Sequence, residues 1–411
     1  MIISNRTIYK NYHVSEKRNK LFFLFSFLFL VVLSVFFIME DQETKTLESK
    51  SGVIGPSLVI ICFLYSFWGL HSYKKKYSSI VIIFFSLFYI WINLVNILTI
   101  QANSLILLYR LGFYSVPIIT MILCYSYTKN RGLEKKVLNF IVLCFFVLVI
   151  QYLRIRFLSG GHSFLFDGEG KLLCVNYPLF LLPLLLLYPN RKFLVFIVVI
   201  IVFVSFSSGK RSTIVALLIS LFLFGLCESF IEKNEKSSMF KVVFIGSIIM
   251  ISLYYLFLYM DTLNYGLLSE RFINISDDGG SGRDFVWLET IKMIENQNLI
   301  NSLFGSGYNG VVNNSIYQLS AHNDFLEVRY DYGLIGVSLF IISLLAVIRK
   351  SYFYIRKKNK YAPNLICIIA LFITLSMISH VVYLYIMVMA SISLGLLLGA
   401  AEYEKRKKNI Q

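Results

Sequence analysis

Apolar runs close to the length that crosses about 30 Å of hydrocarbon recur along this whole chain, separated by short polar breaks. They cover residues 21–39, 53–70, 80–99, 105–125, 137–153, 172–188, 193–206, 213–227, 242–260, 333–348, 363–377 and 381–401. Backbone groups in lipid must be satisfied within the protein, and these runs are continuous rather than alternating with period two, which selects helices over a barrel. The expected class is therefore an all-α integral membrane protein of about twelve transmembrane helices. Charged residues make up only 15% of the 411, against roughly 25% in a soluble domain, so no soluble domain of ordinary size remains.

The expected organisation is a tail over 1–20, nine spans over 21–260, a large partly helical loop over 261–332, three spans over 333–401 and a second tail over 402–411. The run 21–39 is too long for a signal-peptide core and has no small-residue cleavage site before Glu40, so it is expected to stay as the first helix. A net charge of +16 raises nucleic acid as a partner, but that needs the cations gathered on one exposed face, and here they punctuate apolar runs. The cysteines stand singly, with no Cys-x-x-Cys pair, which predicts neither a disulfide nor a zinc site.

Lys and Arg set the orientation, because retained cytoplasmic loops carry them in excess. With the N-terminal tail inside, 27 of the 39 fall on the inner side and 11 on the outer, with Arg110 within a span. Both tails are then cytoplasmic, and the loop 261–332 is extracytoplasmic.

On that outer side, Lys210 and Arg211 sit in "SSGKRST", a short turn between two apolar runs. Arg offers a planar fork that matches phosphate oxygens, and the neighbouring Ser and Gly let a phosphate approach the backbone; snorkelling to the headgroups explains the same residues equally well. Arg283 stands in "GGSGRDFVW" at a predicted helix start, where anions are attracted; a surface pairing with Asp284 or Asp278 is the alternative. His322, followed by Asn323 in "SAHNDFLE", is a candidate base for a hydroxyl proton, although a lone His more often caps or packs. His162 and His380 have less local context. Arg110 is costly in lipid and is expected to face a polar cavity or to snorkel. Arg154 and Arg156 could extend a basic funnel, or form a solvated interface pair. No P-loop, no Asp-x-Asp pair and no Gly-x-Ser-x-Gly elbow occurs, which disfavours ATP or sugar-nucleotide chemistry and a metal site.

Three motifs in order, "SGRDFVW", "LFGSGYNG" and "AHNDFLEVRYDYGLIGVSLF", together with the upstream "SSGKRSTIVALL", resemble the bacterial O-antigen ligase and polymerase superfamily of membrane glycosyltransferases. The sequence departs from that pattern in "NSLFGSG", where Ser302 and Leu303 replace a common proline. The resemblance implies a cofactor-free, metal-independent, inverting transfer of a glycan from undecaprenyl diphosphate at the outer face of the inner membrane. It assigns Arg211 and Arg283 to the leaving diphosphate and His322 to the acceptor hydroxyl, with Lys210, Arg154, Arg156, Arg110 and Asn323 as further substrate contacts. The lipid-linked oligosaccharide and the bilayer are the implied partners, with a chain-length regulator and a flippase as further candidates. The form of "SGRDFVW" favours a Wzy-type polysaccharide polymerase over a ligase that passes the glycan to lipid A core. A secondary transporter is the alternative of another class, but it would place ionisable groups mid-span, where only Arg110 intrudes.

Overall fold

A computed structural model describes residues 5–44, 51–72, 79–99, 104–159, 173–208, 210–231, 255, 279–382 and 385–410, and there is no strand among them. Five long helices come first: α1 (Asn5–Thr44), α2 (Ser51–Ser72), α3 (Ile80–Thr99), α4 (Ser104–Arg131) and α5 (Lys135–Ser159). Two single turns, α6 (Asn176–Leu179) and α7 (Leu182–Leu185), precede α8 (Arg191–Ser207) and α9 (Arg211–Ile231). A cap follows, made of α10 (Gly279–Glu295), α11 (Leu299–Phe304), α12 (Gly310–Asn314) and α13 (Asp324–Asp331). The chain then returns through α14 (Gly333–Arg356), α15 (Ala362–Ile378) and α16 (Ile386–Ile410). Among the described residues α1, α3, α4, α5, α9, α14 and α16 are long and apolar enough to cross a membrane, with shorter apolar helices in α2 and α15. The chain is an all-α membrane protein. The expected span 242–260 (Tyr255 apart), the loop 261–278 and His162 lie outside the described residues.

The helices sort their apolar residues by face rather than by hydropathy. In α3 the buried positions Val81, Phe85, Phe88, Ile92 and Val95 recur at helical spacing, while Ile83, Leu87, Ile90, Leu94 and Ile97 point outward, as a helix between protein and lipid requires. α16 is the axis of the bundle, its apolar window being 89% buried. Gly395 and Gly399 bring its backbone against α4: an added Cβ at Gly395 would sit 2.6 Å from the Met121 carbonyl oxygen. Small residues four apart are what allow two membrane helices so close.

Two apolar runs fold differently from expectation. The run 172–188 is not one helix but a 3-10 turn (Leu173–Val175) followed by α6 and α7. Pro178 and Pro183 lack the amide a helix needs and restrict the residue before them. The irregular backbone is buried, and its carbonyls are taken by neighbours: Ser393 donates to the Phe180 oxygen at 2.6 Å and Asn364 to the Pro183 oxygen at 2.7 Å. Broken backbone at membrane depth survives only where protein supplies such partners. The last run begins late: α15 ends at Ile378 and α16 starts at Ile386, with an irregular connection between them.

Glycines join the cap to α14. Gly305 (φ 95°) and Gly333 (φ 70°) lie in the left-handed region that favours glycine. A Cβ on Gly305 would collide with the Asp331 carbonyl, and one on Gly333 with the Leu303 carbonyl. The Ser306 and Gly307 amides donate to the Tyr330 and Asp331 oxygens at 3.0 and 2.9 Å. Arg329 donates to the Ser302 hydroxyl and carbonyl and to Gln297, and Trp91 of α3 donates to the Tyr332 carbonyl at 2.9 Å.

Candidate active site

Three segments distant in sequence meet at the cap end of the bundle: the α8–α9 turn, the irregular connection after α15, and the loop leading into α13. Helix α13 starts at Asn323, whose side-chain oxygen accepts from the amides of Phe325 and Leu326, the ordinary work of an N-cap residue. The carbonyl oxygen of this expected substrate contact is thus occupied in starting the helix.

His322, just before the cap, is half-buried and has φ 50°, a backbone region uncommon for any residue but glycine. Its preceding peptide is held from both sides. Trp287 Nε1 of α10 donates to the Ala321 carbonyl at 2.6 Å, and the Ala321 amide donates to Glu327 Oε1 at 2.6 Å. The His322 amide also donates to Glu327. Such over-determination is what keeps an uncommon backbone conformation in place.

The His322 ring faces that of His380, with centroids 4.8 Å apart and planes 42° from parallel. His380 lies in the irregular connection and is buried. Its Nε2 is 2.7 Å from the Ser320 hydroxyl, and its Nδ1 is 3.3 Å from Glu327 Oε2 and 3.6 Å from Asp324 Oδ1. Asp324 Oδ2 accepts from the amides of Val381 and Val382 at 2.9 and 3.2 Å, so a buried carboxylate ties the cap to the connection. Burial pushes the Glu327 carboxyl up to about 7, with Asp324 adding to the rise and His380 opposing it. Burial alone would lower His380, but the Glu327 and Asp324 carboxylates outweigh it and raise its affinity for a proton.

From the α8–α9 turn, Lys210 is buried and its ammonium donates to Ser379 Oγ at 2.8 Å, beside His380. Arg211, the next residue, opens α9, but its side chain lies outside the described residues, as does that of Arg156. Arg283 of α10 is half-buried, one turn before Trp287 and therefore on the face that meets the His322 loop. Of the other expected contacts, Arg110 donates to the Tyr308 hydroxyl at 2.5 Å and lies 4.1 Å over its ring, fastened to the cap. Arg154 is exposed and donates to Gln151 of its own helix at 3.4 Å.

The arrangement combines a half-buried imidazole able to take a proton, buried carboxylates behind it, and cationic groups from the α8–α9 turn and α10. That is the equipment for moving a hydroxyl proton next to an anionic leaving group. Residues 180–341 match the family described as O-antigen ligase. The match supports placing that stretch in the O-antigen ligase and polymerase superfamily. The family covers O-antigen ligases and related polymerases, enzymes that transfer glycosyl groups. A comparison with curated proteins finds no match. The matched segment contains Lys210, Arg211, Arg283, His322, Asp324 and Glu327; His380 lies beyond it.

Sequence reasoning gave His380 no particular role and left Asp324 and Glu327 aside. A signal was present: two acids in "HNDFLE" directly before an apolar stretch, and one imidazole in the otherwise apolar "ISHVV".

Proposed function

We propose that this protein is a polysaccharide polymerase that transfers a growing glycan from undecaprenyl diphosphate onto the next lipid-linked repeat unit. The acceptor hydroxyl attacks the donor's anomeric carbon and gives its proton to His322. The bond to the diphosphate oxygen breaks, the leaving group keeps the electron pair, and the configuration inverts. Arg283 and Arg211, with Lys210, neutralise the diphosphate. Guanidinium groups thereby supply the charge stabilisation that a divalent cation gives elsewhere, and the nearby carboxylates are engaged with backbone amides and His380.

The observation that carries the reading is the meeting of the Lys210 turn, the His322 loop and the Trp287 face of α10 at one end of the bundle. The excess of Lys and Arg in the loops of the opposite end supports assigning this end to the extracytoplasmic side of the inner membrane, with both tails cytoplasmic. A second reading, ligation to lipid A core, is favoured by the description of the matched family. Deleting the gene and separating surface glycans on a gel tests both. Chains stopping at a single repeat support polymerisation, bare core supports ligation, and an unchanged ladder overturns both.

A further inference from the structure

The two facing imidazoles raise an electrostatic problem. Rings 4.8 Å apart cannot both be charged without a heavy penalty, since like charges at that range suppress each other's protonation. Yet His380 is set between two carboxylates that favour its charged form, and His322 must become charged when it takes a proton from a hydroxyl. The described groups around His380 include Asp324 and Glu327 from α13, Ser320 and His322 from the loop before it, Ser379 beside it, and Lys210 from the α8–α9 turn.

Building on the glycosyl-transfer reading, we propose that His380 and Glu327 form a proton relay behind His322: as His322 accepts the hydroxyl proton, His380 passes its Nδ1 proton to Glu327, so the two rings are never charged together. Before the step His322 is neutral, His380 is an imidazolium and Glu327 a carboxylate. After it His322 is the imidazolium, His380 is neutral and Glu327 is a carboxylic acid, so the cluster has gained the one proton that the acceptor lost. His322 then releases its proton to water, and Glu327 returns its own to His380.

The geometry suits each part. Glu327 Oε2 is 3.3 Å from the Nδ1 that must give up the proton, within reach of a transfer after slight tightening. The Ser320 hydroxyl at 2.7 Å accepts from Nε2–H, the hydrogen the ring keeps in both states, and so holds the ring in place throughout. Asp324 is different, because Oδ2 is committed to two backbone amides and serves as a fixed countercharge. Burial raises the proton affinity of Glu327, which favours its taking the proton that His380 gives up. His380 is thus a positioning residue acting through His322, outside the matched family segment.

The test uses the full chain in detergent micelles with ring-labelled histidine, its five imidazoles assigned by single His→Gln variants and followed by NMR against pH. In the wild-type protein the His322 and His380 curves should be mutually biphasic, each bending where the other titrates. His380→Gln should raise the His322 midpoint by about one pH unit, and Glu327→Gln should lower that of His380. Independent single-step curves in the wild type, which need no variant to fold, would overturn the relay, as would an unmoved His322 midpoint in His380→Gln. Rate profiles in membranes supply the second arm: His380→Gln should move the acid limb to higher pH, because His322 then protonates more readily. Loss of all turnover of lipid-linked substrate by the wild-type protein counts against the glycosyl-transfer reading, while coupling in the NMR curves is judged separately.

Discussion

Asp324→Ala removes a buried carboxylate that joins the cap to the backbone of the connection between α15 and α16. In the folded protein Asp324 is fully buried, and its Oδ2 accepts from two amides at 2.9 and 3.2 Å. Hydrogen bonds to a charged group are worth about 1.5–3 kcal/mol each, so losing both costs about 3–6 kcal/mol, a large share of the ~5–15 kcal/mol that holds a typical domain together. Two buried amides are left without their acceptor, and His380 loses one of its two carboxylates. Asp324→Asn retains an oxygen that can accept from both amides and loses only the charge, so it should cost about 1–2 kcal/mol. Thermal unfolding in detergent should rank wild type above Asn above Ala, and deuterium exchange should rise at residues 379–382 in the alanine variant first. An alanine variant as stable as wild type, or an asparagine variant as damaged as alanine, would refute the reasoning.

Arg283→Ala should reduce glycan transfer about 10²–10³-fold, the usual cost of removing one group that stabilises transition-state charge, with Lys restoring little because the fork is lost; gel analysis of surface glycans with a membrane-insertion control checks it. Gly333→Ala should loosen the cap, because a left-handed backbone costs a non-glycine residue about 1–2 kcal/mol and the new Cβ meets the Leu303 carbonyl; limited proteolysis between 296 and 310 reads the effect. Tyr308→Phe removes the hydroxyl that Arg110 binds but keeps the ring beneath it, so it should destabilise less than Tyr308→Ala in a melting assay. Glu327 and His380 both hold protons more tightly when folded than their ordinary values allow, so folding takes up protons and stability is lost as pH rises. For Glu327 the loss runs from about 4.5 to about 7, and Glu327→Gln should flatten unfolding curves compared at pH 5 and pH 8.

The membrane helices were legible because a 20-residue apolar run has few alternatives in lipid, and α3, α5 and α14 begin within a few residues of expectation. The run 172–188 misled because hydropathy does not register that Pro178 and Pro183 break the helix; whether such a break survives depends on Ser393 and Asn364, about two hundred residues away. At the candidate site, the helix head that follows His322 was readable from the sequence. His380 was not, since only tertiary folding places it against a residue 58 positions earlier. Arg110, a cation within a span, is fastened to Tyr308 of the cap, a partner 198 positions later that no local pattern announces.

The interlocked glycines decide which parts of this molecule can shift separately. With Gly305 against the Asp331 carbonyl and Gly333 against that of Leu303, the crossing has no slack for sliding. Any tilt of α14 must therefore drag α11 and the start of α12 along as a single lever, whereas the Lys210 turn and the stretch around His380 touch that lever through side chains and a few amides.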